Sequence, residues 1–435
     1  MTTQHAERPL IPDEIARAVV LPDAYAQLYK TVLPAFQWLR THMPIGVAEV
    51  DGYDPVWVVS KHAHVQQVLL NAKKFHSADL NIMLHPKVGD DYLRGLLGGN
   101  TKVLANLSYM EPPEHTQYRS ATSAPFMPGE IRKLEPRFRE IAKDTVDALL
   151  ARDDLEFDFV HDVGNVYPLE IIMEMLGIPQ EDHRYLHRLT QEIFGGDDPD
   201  MKREDVAETT AETGAQQWLL AVNDAYEYFE GVRKDRWAHP RDDIATAIVT
   251  ARLQSGETMP ERIQNHLAAS VAIAGHDTIN SALSGGVLGL ARHPDQIKKV
   301  QADLSLIPGL VDECIRYATP TKHFMRNTVT DTDFFGFKLK PMERIMCSLV
   351  SANNDETVFP DPARFDVTRR PNPHVAFGYG PHQCLGQHIA KMEMRALFEE
   401  LLPRIGTIEL AAEPSLKRGN FVTGVKKLPI RLTRA

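Results

Sequence analysis

Apolar residues recur every three or four positions through most of this chain, and that spacing restricts it to a mainly helical fold. The segments 13–42, 62–72, 128–151, 163–176, 208–238, 260–293, 295–318 and 385–402 each gather their apolar residues on one face of a helix. Strand-like patterns are confined to two regions. Residues 46–59 read as a hairpin turning at Asp51-Gly52, and 324–350 as several short strands with turns at Asp331-Thr332-Asp333 and Leu339-Lys340-Pro341. The expected fold is mainly α with a small β region. No repeat, low-complexity tract or Gly/Ser linker divides the sequence, so residues 1–435 read as one large domain, with 1–12 a flexible N-terminal arm. Residues 76–110 and the Pro/Asn/Asp-rich 352–383 read as extended loops of a length that compact domains keep for function.

Composition removes several function classes. The chain has 48 Lys+Arg against 59 Asp+Glu, a net charge of −11, without basic blocks, which argues against nucleic acid as a partner. It holds no apolar run of the roughly 18 residues a membrane span needs, so a cytoplasmic protein is expected. Its three cysteines, Cys314, Cys347 and Cys384, are too widely spaced for a CxxC zinc site or a disulfide scaffold, which fits a reducing compartment.

Cys384 has the most informative surroundings. In Phe377-Gly378-Tyr379-Gly380-Pro381-His382-Gln383-Cys384-Leu385-Gly386 a glycine-punctuated loop delivers it to the start of an apolar-periodic helix. The glycines permit positive φ, so backbone N–H groups and the helix N-terminus converge near the sulfur and favour a thiolate. Gly386 leaves room for a flat ligand. A cysteine taken alone is most often a small core residue, and core packing is the reading for Cys314 and Cys347. The pattern F-x-x-G-x-H-x-C-x-G, however, resembles the haem-binding signature of the cytochromes P-450. That resemblance implies the cytochrome P-450 fold, with haem b (iron protoporphyrin IX) between the long central helix and the cysteine-loop helix. It also implies Cys384 as the iron ligand, and Phe377, Gly378 and Gly386 among the residues around the haem.

A second motif lies in the segment 260–293. Thr258-Met259-Pro260-Glu261 reads as a capping box, and no stop precedes His293-Pro294, so one helix of about 50 Å is expected. Its apolar middle breaks into Ala274-Gly275-His276-Asp277-Thr278, where a carboxylate is costly unless partnered. Ala274-Gly275-x-Asp277-Thr278 resembles the family's A-G-x-D-T motif. The glycine is then expected to open a groove beside the haem, and Asp277 and Thr278 to relay protons during dioxygen activation.

Charged residues at four further places resemble family positions. Glu313 and Arg316, at i and i+3, match the E-x-x-R motif that braces the cysteine loop together with a third arginine, expected to be Arg364 with Arg369 as alternate. His115 and Arg119 resemble the H-T-x-x-R clamp on the haem propionates, and Arg326 and His382 are expected to complete it. No dinucleotide-binding G-x-G-x-x-G follows a strand, so electrons must arrive from another protein. By resemblance to stand-alone bacterial members that protein is a [2Fe–2S] ferredoxin fed by a reductase, docking on a face made locally basic by Arg119, Arg132, Lys133 and Lys391. A monomer is expected.

Substrate contacts implied by the family come from Leu80, Ile82, Met83 and Leu97 in the long loop, Phe194, Ala274 and Gly275 on helices, Thr321 and Phe324, and Phe421 and Val422 near the C-terminus. Most are apolar, which suits a small hydrophobic substrate. Tyr53-Asp54-Pro55-Val56-Trp57, Leu189-Thr190-Gln191, Phe324-Met325-Arg326 and Asn420-Phe421-Val422 look similar to the α-terpineol-hydroxylating subfamily. A monoterpene or alkylbenzene such as p-cymene, hydroxylated by O2 at an allylic or benzylic C–H bond, is then the expected substrate, with fatty acids and steroids as alternatives. Residues 81–100 and 197–215 resemble that subfamily least. The competing functions are a peroxide-driven haem-thiolate enzyme, which would not need Asp277 and Thr278, and a non-catalytic haem-based gas or ligand sensor.

Overall fold

Most of the periodic segments become helices close to their expected bounds in the computed structural model, which describes residues 8–99, 103–201 and 211–435. Parts of three expectations lie outside the described residues: the start of the N-terminal arm, positions 100–102 of the long loop, and the first turn of the segment 208–238. The helices that position the site are α1 (Glu114–Thr122), α2 (Tyr167–Met175), α3 (Gln180–Phe194), α4 (Ala211–Ala238), α5 (Glu261–Ala274), α6 (Asp277–Arg292), α7 (Ile307–Ala318) and α8 (Gln387–Leu401). Both expected strand regions form, but strands also occur outside them, at Phe75–His76, Glu156–Asp158, Ile405–Leu410, Ser415–Leu416, Val425–Lys427 and Pro429–Arg434. The five-stranded sheet comprises β1 (Ile45–Ala48), β2 (Val56–Val59), β3 (Phe75–His76), β4 (His323–Thr328) and β5 (Arg344–Ser348), in the order β1-β2-β5-β4-β3. β1 and β2 pair antiparallel with Val47 opposite Trp57, whereas β2 runs parallel to β5 with Val58 opposite Met346. On β4, the two-residue side-chain period puts Phe324 and Arg326 on one face.

The central helix departs from expectation. It is two helices, α5 and α6, broken at Gly275-His276. The Thr278 hydroxyl donates to the Ala274 carbonyl at 2.8 Å, a side-chain bond that competes with the helical ladder and bends it. Nor does the capping box form. Thr258 pairs with Arg252 in an isolated β-bridge, and α5 starts after Pro260 without a side-chain cap. Residues 9–11 are not a free arm either: Ile11 donates to the Val47 carbonyl at 2.9 Å and Val47 to that of Pro9 at 2.8 Å, adding chain to the edge of β1.

The largest core cluster surrounds α6, which is buried along most of its length. Glycine lets its neighbours approach: a Cβ on Gly286 would lie 2.2 Å from Cys314 Sγ, and one on Gly289 2.4 Å from the Phe365 ring. Cys314 is thus a packing residue between α6 and α7, its thiol pushed well up by burial. Cys347 is likewise buried in β5, where burial outweighs the nearby Arg326 and pushes its thiol up to about 12.

Candidate active site

The cysteine loop is folded by its glycines. Gly378 and Gly380 have φ of +73° and +75°, and a Cβ on Gly380 would come within 2.9 Å of the Leu69 carbonyl oxygen. Cys384 N–H donates to the Phe377 carbonyl at 2.8 Å and Gln383 N–H to that of Gly380 at 3.0 Å, so the loop closes on itself just before α8. Cys384 is accessible and lines a cavity of about 370 Å³. Burial pushes its thiol up, and the Gly386 N–H, Arg119 and the Gln387 N–H only partly oppose it. The N–H groups at the start of α8 thus act on the sulfur in the expected direction, toward the thiolate, and coordination to a metal would deprotonate it outright.

Ala274, Gly275 and Thr278, at the break between α5 and α6, line the same cavity. Gly275 does not open an empty groove, because a Cβ there would meet Ile172 of α2 at 2.8 Å, and Ile172 itself lines the cavity. Asp277 is turned away from the cavity. Its Oδ1 accepts from Lys417 Nζ at 2.8 Å and from Gln191 Nε2 on α3 at 3.0 Å. Burial pushes this carboxyl up, but Lys417, His276 and Gln191 outweigh that and hold it below its ordinary range. Sequence reading missed Lys417, 140 residues away, which has no local motif to mark it.

On the rim, His115, Arg119 and His382 line the cavity together. The His115 and His382 rings lie 4.3 Å apart, and Arg119 Nη2 donates to the Gln383 carbonyl at 2.7 Å. Burial, helped by His382 and Arg119 and opposed by Glu111, pushes His115 down to about 4. Its Nε2 is buried without a partner, as suits a group awaiting an anion. Arg326 lies one step back, lining a small adjoining hollow with Phe324, Gly378 and His382. A Cβ on Gly386 would meet nothing within 4 Å, so the void reaches the helix backbone beside the sulfur. An apolar cavity, one facing cysteine and cationic or hydrogen-bonding groups at its edge fit a flat, iron-bearing dianion.

Beneath the loop, Glu313 and Arg316 are fully buried on α7. Arg316 Nε and Nη2 each donate to the carboxylate at 2.8 Å. The third member of the cluster is Arg369, whose Nε lies 3.2 Å from Glu313 Oε2, and not the expected Arg364. The Arg364 side chain is 52% exposed and 3.6 Å from Asp295, and only its carbonyl reaches the cluster, accepting from Arg316 and Arg369.

The expected substrate positions converge with two exceptions. Ile82, Met83, Phe194, Thr321, Phe324, Phe421 and Val422 line the cavity with Ala274 and Gly275. Leu80 instead lines a separate hollow with Trp57 and Arg344, and Leu97 is exposed just past the helix Lys87–Leu96. That helix turns part of the expected loop onto the surface. Trp218 and Val222 of α4 line the cavity as well, and in the sequence they cannot be told from ordinary core positions. The expected basic face is partly neutralised: Lys133 pairs with Glu130 and Lys391 with Asp312, Arg119 turns inward, and Arg132 is exposed.

Fold and cavity together define a haem-binding oxidoreductase. The family model described as Cytochrome P450 matches residues 47–406, and the chain belongs to that family. It is 41% identical to Cytochrome P450-terp of Pseudomonas sp over 98% of this chain and 99% of that one. It is 30% identical to a Steroid C26-monooxygenase of Mycolicibacterium smegmatis over 95% and 93%. A crystal structure of a cytochrome P450 from Novosphingobium aromaticivorans superposes with a TM-score of 0.89 at 36% identity, covering 98% of this chain and all of that one. With relatives named monooxygenases and hydroxylases, the chain is a P450 monooxygenase. Among the described residues no helix is long and apolar enough to cross a membrane.

Proposed function

We propose that Cys384 is the sulfur ligand of the haem iron, that His115, Arg119, His382 and Arg326 hold the propionate edge, and that the reaction is hydroxylation of a small hydrophobic molecule. The observation that carries this is that Cys384 and Thr278, the latter at a helix break, line one and the same largely apolar cavity. The haem, when bound, supplies reductive activation of dioxygen and insertion of one oxygen atom into a C–H bond. The chain's own part is to bind, orient and exclude water. Phe377 and Gly386 line the cavity with Cys384 and would pack against the haem, and Met83, Phe324 and Phe421 would surround the substrate. Thr278 lines the cavity with its hydroxyl donating to the Ala274 carbonyl, and Asp277, anchored by Lys417 and Gln191, holds a carboxylate one residue before it as a proton carrier.

A monoterpene or alkylbenzene is the substrate class we favour. The lining of the cavity is predominantly apolar, with Met83, Phe194, Phe324, Phe421 and Val422 among its residues, which suits a hydrophobic molecule without charged groups. The similarity to Cytochrome P450-terp across nearly the whole chain supports the same choice. Electrons are assigned to a [2Fe–2S] ferredoxin and its reductase, on the resemblance to stand-alone bacterial members of the family.

Two spectra test the reading. The reduced protein with carbon monoxide should show the red-shifted band of thiolate ligation, lost in Cys384→Ser; a histidine-type band in the wild type would refute the assignment. Titration of the ferric protein should give a low- to high-spin shift with monoterpenes or alkylbenzenes at lower concentration than with fatty acids or steroids. The opposite order would refute the substrate class, and substantial turnover with peroxide in place of ferredoxin would favour the peroxide-driven alternative.

A further inference from the structure

Lys417 sits at the mouth of the C-terminal turn that feeds the cavity, between β6 (Ser415–Leu416) and β7 (Val425–Lys427). Its N–H donates to the Gly424 carbonyl at 2.9 Å and its carbonyl accepts from the Thr423 hydroxyl at 3.0 Å, so residues 417–424 form a closed unit. The tip of that unit carries Phe421 and Val422 into the cavity, where Val422 bridges to Thr321 and the Phe421 carbonyl accepts from Lys322 N–H at 2.7 Å. At its base the Lys417 ammonium reaches Asp277, and the two side chains are only 5% and 1% exposed. One short unit thus touches both the substrate space and the carboxylate at the helix break.

We propose that Lys417 is a positioning residue that couples occupancy of the cavity at Phe421 and Val422 to the freedom of Asp277. With the pair closed, Asp277 is held out of the cavity. A ligand that presses on the tip moves the closed unit, and the 2.8 Å contact is lost as a hydrogen bond after a shift of under ~1 Å. Asp277 is then free to turn toward Thr278 when the pocket is filled. Asn420, bonded to the Val20 carbonyl and facing His323, anchors the far side of the turn. The groups facing Asp277 are Lys417 from the turn, His276 from its own helix junction, and His187 and Gln191 from α3. Burial lowers both histidines, His276 to about 4, so at neutral pH the cation facing Asp277 is Lys417. The proposal rests on reading Asp277 as the proton carrier.

Coupling is reciprocal, so the pair that resists displacement of the turn must also oppose ligands that displace it. In the haem-loaded protein, Lys417→Met should tighten binding of bulky ligands by about fivefold or more, read from spin-state titration, while leaving the smallest ligands unchanged. Asp277→Asn opens the pair from the other side, should give the same preference, and serves if Lys417→Met fails to fold. Equal change for both ligand sizes, or none, overturns the coupling.

A second readout needs no turnover. In the wild type the Asp277 carboxyl lies below its ordinary value, so the stability it contributes is present above about pH 4 and is lost as pH falls through the folded-state value. In Lys417→Met burial acts unopposed by the lysine, the folded-state value rises above that of the unfolded chain, and stability should instead fall as pH rises from about 4. This reversal is measured against Asp277→Asn/Lys417→Met, which lacks the carboxylate. A Lys417→Met curve parallel to that double variant would overturn the role given to Lys417. The carbon monoxide band decides the Cys384 assignment separately, so the two failures cannot be confused.

Discussion

Replacing Glu313 by Ala tests whether the cluster beneath the cysteine loop is held by a buried charge. Glu313 and Arg316 are both 0% exposed, and the carboxylate accepts from Arg316 twice, from Arg369 Nε, from Asp366 N–H at 2.9 Å and from Asn372 Nδ2 at 3.1 Å. Removing it strands the Arg316 guanidinium in a dry interior, with the Asn353 carbonyl as its closest remaining acceptor at 3.0 Å. Loss of one partner of a buried pair costs about 3–5 kcal/mol. Unfolding entropy of about 2.1 cal/mol/K per residue amounts to roughly 0.9 kcal/mol/K for this chain, so Tm should fall by about 3–6 °C. Calorimetry of the haem-loaded protein measures this directly. The control is Glu130→Gln, which removes the partner of Lys133 at the same i, i+3 spacing but with side chains 50% and 71% exposed; it should change stability by less than about 0.5 kcal/mol. A Glu313→Ala protein melting within about 1 °C of wild type would refute the argument that burial, not spacing, gives the pair its strength.

Arg369→Ala should cost about 1–3 kcal/mol, because that side chain is 8% exposed and bonded to Glu313, while Arg364→Ala should cost under about 0.5 kcal/mol; equal effects in chemical denaturation would contradict the assignment of the third member. Gly380→Ala, at φ +75° and against the Leu69 carbonyl, should cost about 1–2 kcal/mol or more and lower the fraction of protein with a thiolate-type carbon monoxide band. A normal band at unchanged stability would show that the loop tolerates a side chain there. Thr278→Ala should divert electrons to hydrogen peroxide with substrate binding retained, measured as peroxide formed per reductant consumed; unchanged coupling would remove Thr278 from proton delivery.

The parts of the site legible in the sequence are those built inside one element. Cys384 and the glycines that fold its loop lie within ten residues, Glu313 and Arg316 are one helical turn apart, and His115 and Arg119 share a face of α1. Spacing along the chain is spacing in the molecule there, because the backbone ladder fixes it. Apolar periodicity settled the helical class for the same reason. Tertiary packing decided the rest. Arg369 rather than Arg364 meets Glu313 because of how the irregular segment 353–379, between β5 and the cysteine, folds back on α7, and no period governs that path. Whether a Glu and a base three residues on form an interior brace or a solvated pair depends on what packs over them, as Glu313-Arg316 and Glu130-Lys133 show. Lys417 reaches Asp277 across 140 residues, a partnership that a buried carboxylate requires but that its neighbours in sequence cannot name. A chain can announce that a buried charge needs a partner, whereas only the fold selects which one arrives.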